Sequence, residues 1–230
     1  MLVREWIESG PEAGAIAMEA DRALLEASDF RPGTGWRLRV HGWAGPTLTL
    51  GRGQRPSVEL SREAESCGVE VVVRPTGGGW LLHLPGDLAL SAAFPGPLGR
   101  GDLRGSARAV GELIVRALAV GGLPAHLVSA ATAAASPATR AEVCFQRADR
   151  EEVTIDQVKA AGVALARIRG AVLIQSAIPL IEPPAGLVSF ARRWDPARAA
   201  AVEGLAGLDY RLLTARLGQQ IQVGSEEVNR

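Results

Sequence analysis

Apolar and polar positions alternate or recur along the chain in short blocks, and each block predicts an element. Residues 2–8 read as a first strand. From Glu12 to Ser28 the apolar positions Ile16, Ala20, Ala23, Leu24 and Ala27 make a helical stripe. Trp36, Leu38 and Val40 alternate with Arg37, Arg39 and His41, the period-two pattern of a half-buried strand. A turn at Gly45-Pro46 leads to a second strand, Thr47 to Leu50. Ser57 is placed to cap a helix that stops at Cys67-Gly68. The run Val69 to Val73, short and rich in β-branched residues, predicts a buried central strand, and Leu88 to Phe94 another strand.

The second half continues in the same style. A helix is predicted from about Ser106 to Ala119, with Val110, Leu113, Ile114, Ala117 and Leu118 on one face. Residues 129–141 are small, polar and low in complexity, which predicts a loop. Val153 to Ile155, then Asp156-Gln157, then Val158 onward predict a hairpin, although its turn lacks glycine. Ala171 to Leu180 predicts a strand, and two short helices follow near Pro196–Gly204 and Leu208–Leu217. Strands in clusters with helices between them argue for an α+β fold built on a mainly antiparallel sheet. The expected organisation is one domain over residues 1–230, with a short helical tail after about residue 181.

Composition narrows the function classes. With 230 residues, 47% of them hydrophobic and 22% charged, the chain buries a sizeable core. Its 25 basic and 25 acidic side chains cancel, so no bulk charge points to nucleic acid or an anionic membrane. No apolar h-region opens the sequence, and charges such as Arg116 and Arg169 interrupt its longest apolar stretches, so neither a signal peptide nor a membrane span is expected. Two cysteines suit free thiols in a reducing compartment, and a cytoplasmic location follows as the expectation. Three dispersed histidines, His41, His83 and His126, make no metal pattern. Of the 25 basic residues, 24 are arginine and one is Lys159. A lysine surviving such a bias is either chance or a position where a compact, rotatable ammonium is needed and a rigid guanidinium fork does not fit.

The segment Arg74-Pro75-Thr76-Gly77-Gly78-Gly79, followed by His83, carries the clearest chemical signal. Three glycines after a strand let the backbone approach a ligand and aim amides at its oxygen atoms, or else simply make a glycine-rich turn. No Gly-Lys-Ser/Thr follows, so this is not a nucleotide P-loop. Gly33-Thr34-Gly35 reads as an ordinary loop. His83 either orients a ligand or bonds a backbone carbonyl within the sheet. Arg100, Arg104 and Arg108 form a basic stretch that serves as a solvated face or as a docking patch for an acidic partner domain.

The run from Arg74 to Gly79, with His83, Gly86-Asp87-Leu88 and Ser91, resembles the signature of the lipoate–protein ligase and octanoyltransferase family. Arg39-Val40-His41-Gly42-Trp43, Thr47 to Gly51, the segment Val158-Lys159-Ala160-Ala161-Gly162 and Gln175 fit the same family, over residues from about 4 to 180. Val73, Leu84, Val163 and Ser176 depart from its usual residues. The resemblance implies an α+β, mainly antiparallel fold shared with biotin ligases and chemistry on an eight-carbon acyl chain. It makes Lys159 the active-site lysine, and Arg74, Thr76, Gly77, Gly78, Gly79, His83 and Gly162 the acyl-binding residues. Cys144-Phe145 resembles the cysteine nucleophile of one octanoyltransferase branch, with Cys67 structural. In that chemistry a thiolate, favoured by an adjacent ammonium, takes the acyl group from a thioester. The implied donor is an acyl carrier protein and the acceptors are lipoyl domains, with no cofactor, metal, nucleic acid or membrane. The competing implications are an ATP-dependent ligase using ATP and Mg, a biotin ligase suggested by Gly51 to Arg55, and a non-catalytic acyl-binding module.

Overall fold

The computed structural model describes residues 2–25, 35–95, 102–129, 143–146, 148–168 and 171–228. Among these residues ten strands build two sheets. The larger contains β1 (Val3–Glu12), β2 (Trp36–Trp43), β6 (Leu88–Pro95), β10 (Ala171–Ile178), β9 (Val158–Ile168), β8 (Val153–Ile155) and β7 (Ala125–Leu127), in that spatial order. Every neighbouring pair in it is antiparallel except β1 with β2. The smaller sheet contains β4 (Glu70–Val73), β3 (Thr47–Leu50) and β5 (Leu81–His83), with β3 in the middle.

One face of the large sheet packs on α3 (Asp102–Ala119) and α6 (Tyr210–Val228). The stripe Val110, Leu113, Ile114, Ala117 and Leu118 is buried there as its spacing predicts, against Leu38, Val40, Leu90, Val172 and Ile174. The other face carries α1 (Gly14–Ala23) and the small sheet, which is why β2 is not half-buried: Arg39 and His41 are as buried as Leu38 and Val40. The stripe of α1 is also turned from its predicted position. Ile16 is 62% exposed, whereas Ala17, Met18, Asp21 and Leu24 face inward. Buried Asp21 outweighs apolar patterning here because it meets Arg39, with Nη1 to Oδ1 at 2.6 Å. The predicted extension of α1 to Ser28, Gly33-Thr34, residues 130–141 of the predicted loop and Arg100 lie outside the described residues.

Local chemistry sets the remaining boundaries. Ser57 Oγ accepts the Leu60 amide at 3.0 Å and starts α2 (Val58–Ser66); Gly68, at φ +65°, ends it. The N-terminus of α1 receives its carboxylate from outside: Glu70 accepts from the amides of Gly14 and Ala15 at 2.7 and 3.0 Å. The valine run does not form a central strand, since β4 is an edge of the small sheet and Val73 is 40% exposed. Its run is apolar because both faces are covered, Val71 by the α2 side and Val72 by Met18 and Trp43 of the α1 side. The β8–β9 hairpin forms without glycine, with Asp156 and Gln157 both at positive φ, 47° and 66°.

The tail has three helices where two were expected: α4 (Val188–Trp194), α5 (Arg198–Glu203) and the long α6. It is tied to the sheets by a fully buried ion pair. Arg198 Nη2 reaches both Asp87 oxygens at 2.8 Å and the Ile181 carbonyl, while Nη1 reaches the Leu82 carbonyl. Asp87 also accepts the amides of Leu84, Leu180 and Ile181. Removing one partner strands the other charge in a dry site. Arg198→Ala is therefore expected to lose roughly 3–5 kcal/mol of stability in urea denaturation; a loss within experimental error would show that the tail is not held by this pair.

Candidate active site

The face of the large sheet beneath α1 is surfaced with unusually small side chains. Register places His41, Ala89, Ala177 and Gly162 in one cross-strand row, and Arg39, Ser91, Gln175 and Ala164 in the next. The first row crosses four strands, roughly 14 Å at about 4.8 Å per strand. Alanine and glycine in mid-row leave a groove, with Met18, Thr49, Arg74 and Leu81 among the residues around it and about 410 Å³ of empty space. Its lining combines apolar side chains with a few convergent polar groups.

Cys144 and Lys159 meet at the Gly162 end of this groove. Val143 forms a bridge to Trp80 and the Cys144 amide donates to the Trp80 carbonyl at 2.8 Å, so the thiol is anchored to the strand that follows the glycine loop. Cys144–Gln146 is a single 3-10 turn. Lys159 Nζ lies 3.6 Å from Cys144 Sγ and 2.6 Å from the Cys144 carbonyl oxygen. In an unbroken strand Lys159 and Gly162, three residues apart, face opposite ways. Here Val153 pairs with Ala161 but Thr154 pairs with Lys159, so Ala160 is an extra residue, a bulge that turns Lys159 onto the groove side. Gly162 stands against the pair: a Cβ there would lie 3.3 Å from Cys144 Sγ and 3.4 Å from Lys159 Cε, so a larger residue would make one of them shift.

The buried ammonium is held by Glu152, a residue sequence reasoning missed. Glu152 Oε2 lies 2.7 Å from Lys159 Nζ, and its oxygens accept the amides of Asp149 and Val163 at 2.6 and 3.3 Å. Burial opposes the lysine charge, but the Cys144 sulfur and the Glu152 carboxylate outweigh it and hold Lys159 above the ordinary lysine value. Burial raises the Glu152 carboxyl, with Lys159 and the two amides pulling it back. Nothing in the sequence singles out the second of two adjacent glutamates; only its place opposite Lys159 does.

Arg74 organises the glycine loop. Its Nη2 donates to the carbonyls of Gly77 and Gly79 at 2.6 and 2.7 Å, and its Nη1 to the Thr49 carbonyl at 3.1 Å. Gly78 sits at φ +96°, and a Cβ there would be 2.8 Å from Arg74 Nη2, so the position admits only glycine. Gly51 packs so closely that its Cβ would fall 2.0 Å from the Gly78 carbonyl oxygen. Thr76 donates to Gln175 Oε1 at 2.7 Å, and Gln175 Nε2 donates to Asp21 at 2.6 Å, which joins the loop to α1. His83 shares a 2.9 Å hydrogen bond with the Thr49 hydroxyl and stacks on Trp43, ring centroids 3.9 Å apart, rather than bonding a backbone carbonyl.

Of the sequence-predicted residues, Cys144, Gly162, Arg74 and His83 line the groove. Lys159 joins it through Cys144, Thr76 through Gln175, and Gly77 and Gly79 through Arg74, while Gly78 packs against Arg74 and Gly51 without lining it. Cys67 lies apart, at the end of α2, and both cysteines are free. Leu84 lies in the core of the small sheet and Val73 at its exposed edge, so neither departure from the family pattern alters the groove. Arg108 pairs with Glu112 at 2.8 Å on an exposed helix face. Among the described residues no cluster of three His, Cys, Asp or Glu side chains could hold a metal ion, and no helix is long and apolar enough to cross a membrane.

Two sheets with a groove between them, a glycine loop and a buried lysine define a catalytic domain of the lipoyl protein ligase type. The chain belongs to the lipoyl protein ligase A/B catalytic domain family, whose model matches residues 14–182. It is 32% identical over 194 residues to the octanoyltransferase LipM of Kyrpidia tusciae, covering 81% of this chain and 69% of the relative. It is 35% identical over 149 residues to an Exiguobacterium protein of the same name, covering 62% of this chain and 54% of the relative. The match thus spans between about half and two thirds of these relatives' lengths. Its fold is shared with lipoate-protein ligase A bound with ATP (TM-score 0.73, 19% identity, 96% of this chain and 84% of that one). It is shared equally with Thermoplasma acidophilum Ta0514 with bound lipoic acid (TM-score 0.71, 20% identity, 96% and 84%).

Burial drives His83 well below the ordinary imidazole value, and the charges of Arg198, Arg74 and His41 push the same way, so the ring is neutral. An unfolded histidine takes up a proton below about pH 6.5 while the folded one does not, so its contribution to stability is lost as pH falls from there. His83→Gln is expected to flatten the loss of stability on acidification, measured by thermal melts across that range.

Proposed function

We propose that the protein transfers an octanoyl group from an acylated carrier protein to the acceptor lysine of a lipoyl domain, through a thioester on Cys144. The carrying observation is the Cys144–Lys159 pair, Sγ to Nζ 3.6 Å, at the end of the apolar groove. The octanoyltransferase relatives support the same reading. The proposed site residues are Cys144 and Lys159 for the chemistry, and Arg74, Thr76, Gly77, Gly78, Gly79, His83 and Gly162 for holding the acyl group. Residues 1–230 act as one catalytic unit, its helical tail closing the wall beside Cys144 through Ala197 and Ala201. The setting is the cytoplasm, where reducing conditions keep Cys144 a thiol.

The Cys144 thiolate attacks the carbonyl carbon of the donor thioester. A new C–S bond forms, the carbonyl electrons move to oxygen, and the loop's amides, their carbonyls being engaged by Arg74, face the oxyanion. Collapse breaks the carrier's C–S bond, and the departing thiolate takes a proton from the Lys159 ammonium. In the second half, the neutral amine of the acceptor lysine attacks the Cys144 thioester. The C–N bond forms, the amine proton passes to neutral Lys159, and Cys144 leaves as thiolate, which restores the starting pair. The donor thioester supplies the driving force, so no nucleotide is required.

Intact mass after incubation with octanoyl carrier protein tests the reading. A gain of one octanoyl group, lost with hydroxylamine and absent in Cys144→Ser, is expected, while Cys67→Ser behaves as wild type. ATP-dependent transfer from free octanoate or lipoate that persists in Cys144→Ser would instead establish an acyl-adenylate ligase. Lys159→Arg should lower the transfer rate by about 100-fold although charge is kept, because a planar fork cannot take an ammonium's place between carbonyl, carboxylate and sulfur; normal rates would remove Lys159 from the chemistry.

A further inference from the structure

Glu152 does not line the groove, yet it binds three separate pieces of the site's framework. Its carboxylate, 7% exposed, takes the Lys159 ammonium, the amide of Asp149 in the segment after the Cys144 turn, and the amide of Val163 next to Gly162. Each of these contacts comes from a donor, as a carboxylate requires and a carboxylic acid would not. The Glu152 backbone is fixed as well, its carbonyl accepting from Val128 and its amide donating to Asp149.

We propose that Glu152 is the positioning residue of the centre: it fixes the Lys159 ammonium against Cys144 and keeps it protonated. This rests on the reading of Cys144 and Lys159 as the reacting pair. An ammonium has three donors on a freely rotating head. With Glu152 and the Cys144 carbonyl at 2.7 and 2.6 Å, two directions are settled, and the sulfur at 3.6 Å lies within reach of the third. The position is dry, so without an anion burial would favour the neutral amine, which neither pairs with a thiolate nor protonates a departing one.

The other ionisable groups around the pair do not take over this task. Cys144 is the reacting anion itself. Arg74, just past the end of β4, is a cation and supplies no negative charge. Asp195, on the tail side, is pushed by burial up to about 7 and gives only a partial charge near neutrality. Glu152 remains the anion that touches Nζ.

The test uses the chain's own composition: with one lysine in 230 residues, lysine labelled at 13Cε gives a single resonance whose pH titration reports Lys159 directly. In the wild type its midpoint is expected above the ordinary lysine value. Glu152→Gln should bring it down by about 1–3 units. The alkaline limb of the transfer profile should move down with it, and transfer near neutral pH should fall about tenfold or more. A folded Gln variant whose midpoint does not move overturns the proposal, because a merely structural glutamate would lower the melting temperature and leave the titration alone. Should that variant not fold, Glu152→Asp decides: a carboxylate one methylene short of Nζ should lower the midpoint, and an unmoved midpoint overturns the role. The titration needs no acyl donor. A chain that takes up no octanoyl group but shows the drop in Glu152→Gln refutes the transferase reading alone.

Discussion

Taking the Lys159 ammonium out of water costs several kcal/mol unless other groups replace its lost hydration. The site's construction follows from meeting that demand. A carboxylate, a backbone carbonyl and a sulfur surround Nζ, the first from Glu152 and the other two from Cys144. Bringing them together needs a bulge in β9 to turn the lysine inward and a 3-10 turn to present Cys144. It also needs a glycine at position 162 so that nothing stands between them. The charge set beside Cys144 is the same charge that dictates the local backbone.

The same physics places the rest of the frame. Arg39 is buried between Asp21 of α1 and Glu12 of β1 and fixes the helix over the sheet. Gln175 carries that fixed point on to Thr76 and thus to the glycine loop. Arg198 with Asp87 anchors the tail, whose Asp195 accepts the Leu82 amide and whose Trp194 carbonyl accepts Trp80 Nε1. Buried ion pairs contribute little net stability compared with apolar packing, but they are intolerant of displacement. Here each one joins an element to a wall of the groove.

Between these fixed points the groove exists because side chains are small. Ala89, Ala177 and Gly162 cross the sheet where larger residues would fill the space, while the opposite face of the same strands carries Leu90, Ile174 and Ile178. One sheet therefore has a packed face that supplies the stability and a bare face that supplies the cavity. Beside the latter the glycine loop turns the carbonyls of Gly77 and Gly79 to Arg74, which itself lines the groove.

Much of this is local chemistry and was legible in residue order. Strand and helix periods, the Ser57 cap, the Gly68 stop and the α3 stripe depend on neighbours a few positions away, and so do the glycine loop and the isolated lysine as signals. Tertiary structure decided whatever depends on a partner far along the chain. The burial of Arg39 and Asp21, the outward turn of Ile16 and the edge position of the valine strand β4 all follow from charges and layers that meet only after folding. Glu152 is the clearest case. Its type and neighbours say nothing, and its importance comes from standing 2.7 Å from an ammonium seven residues away, across a hairpin whose bulge no periodicity predicts.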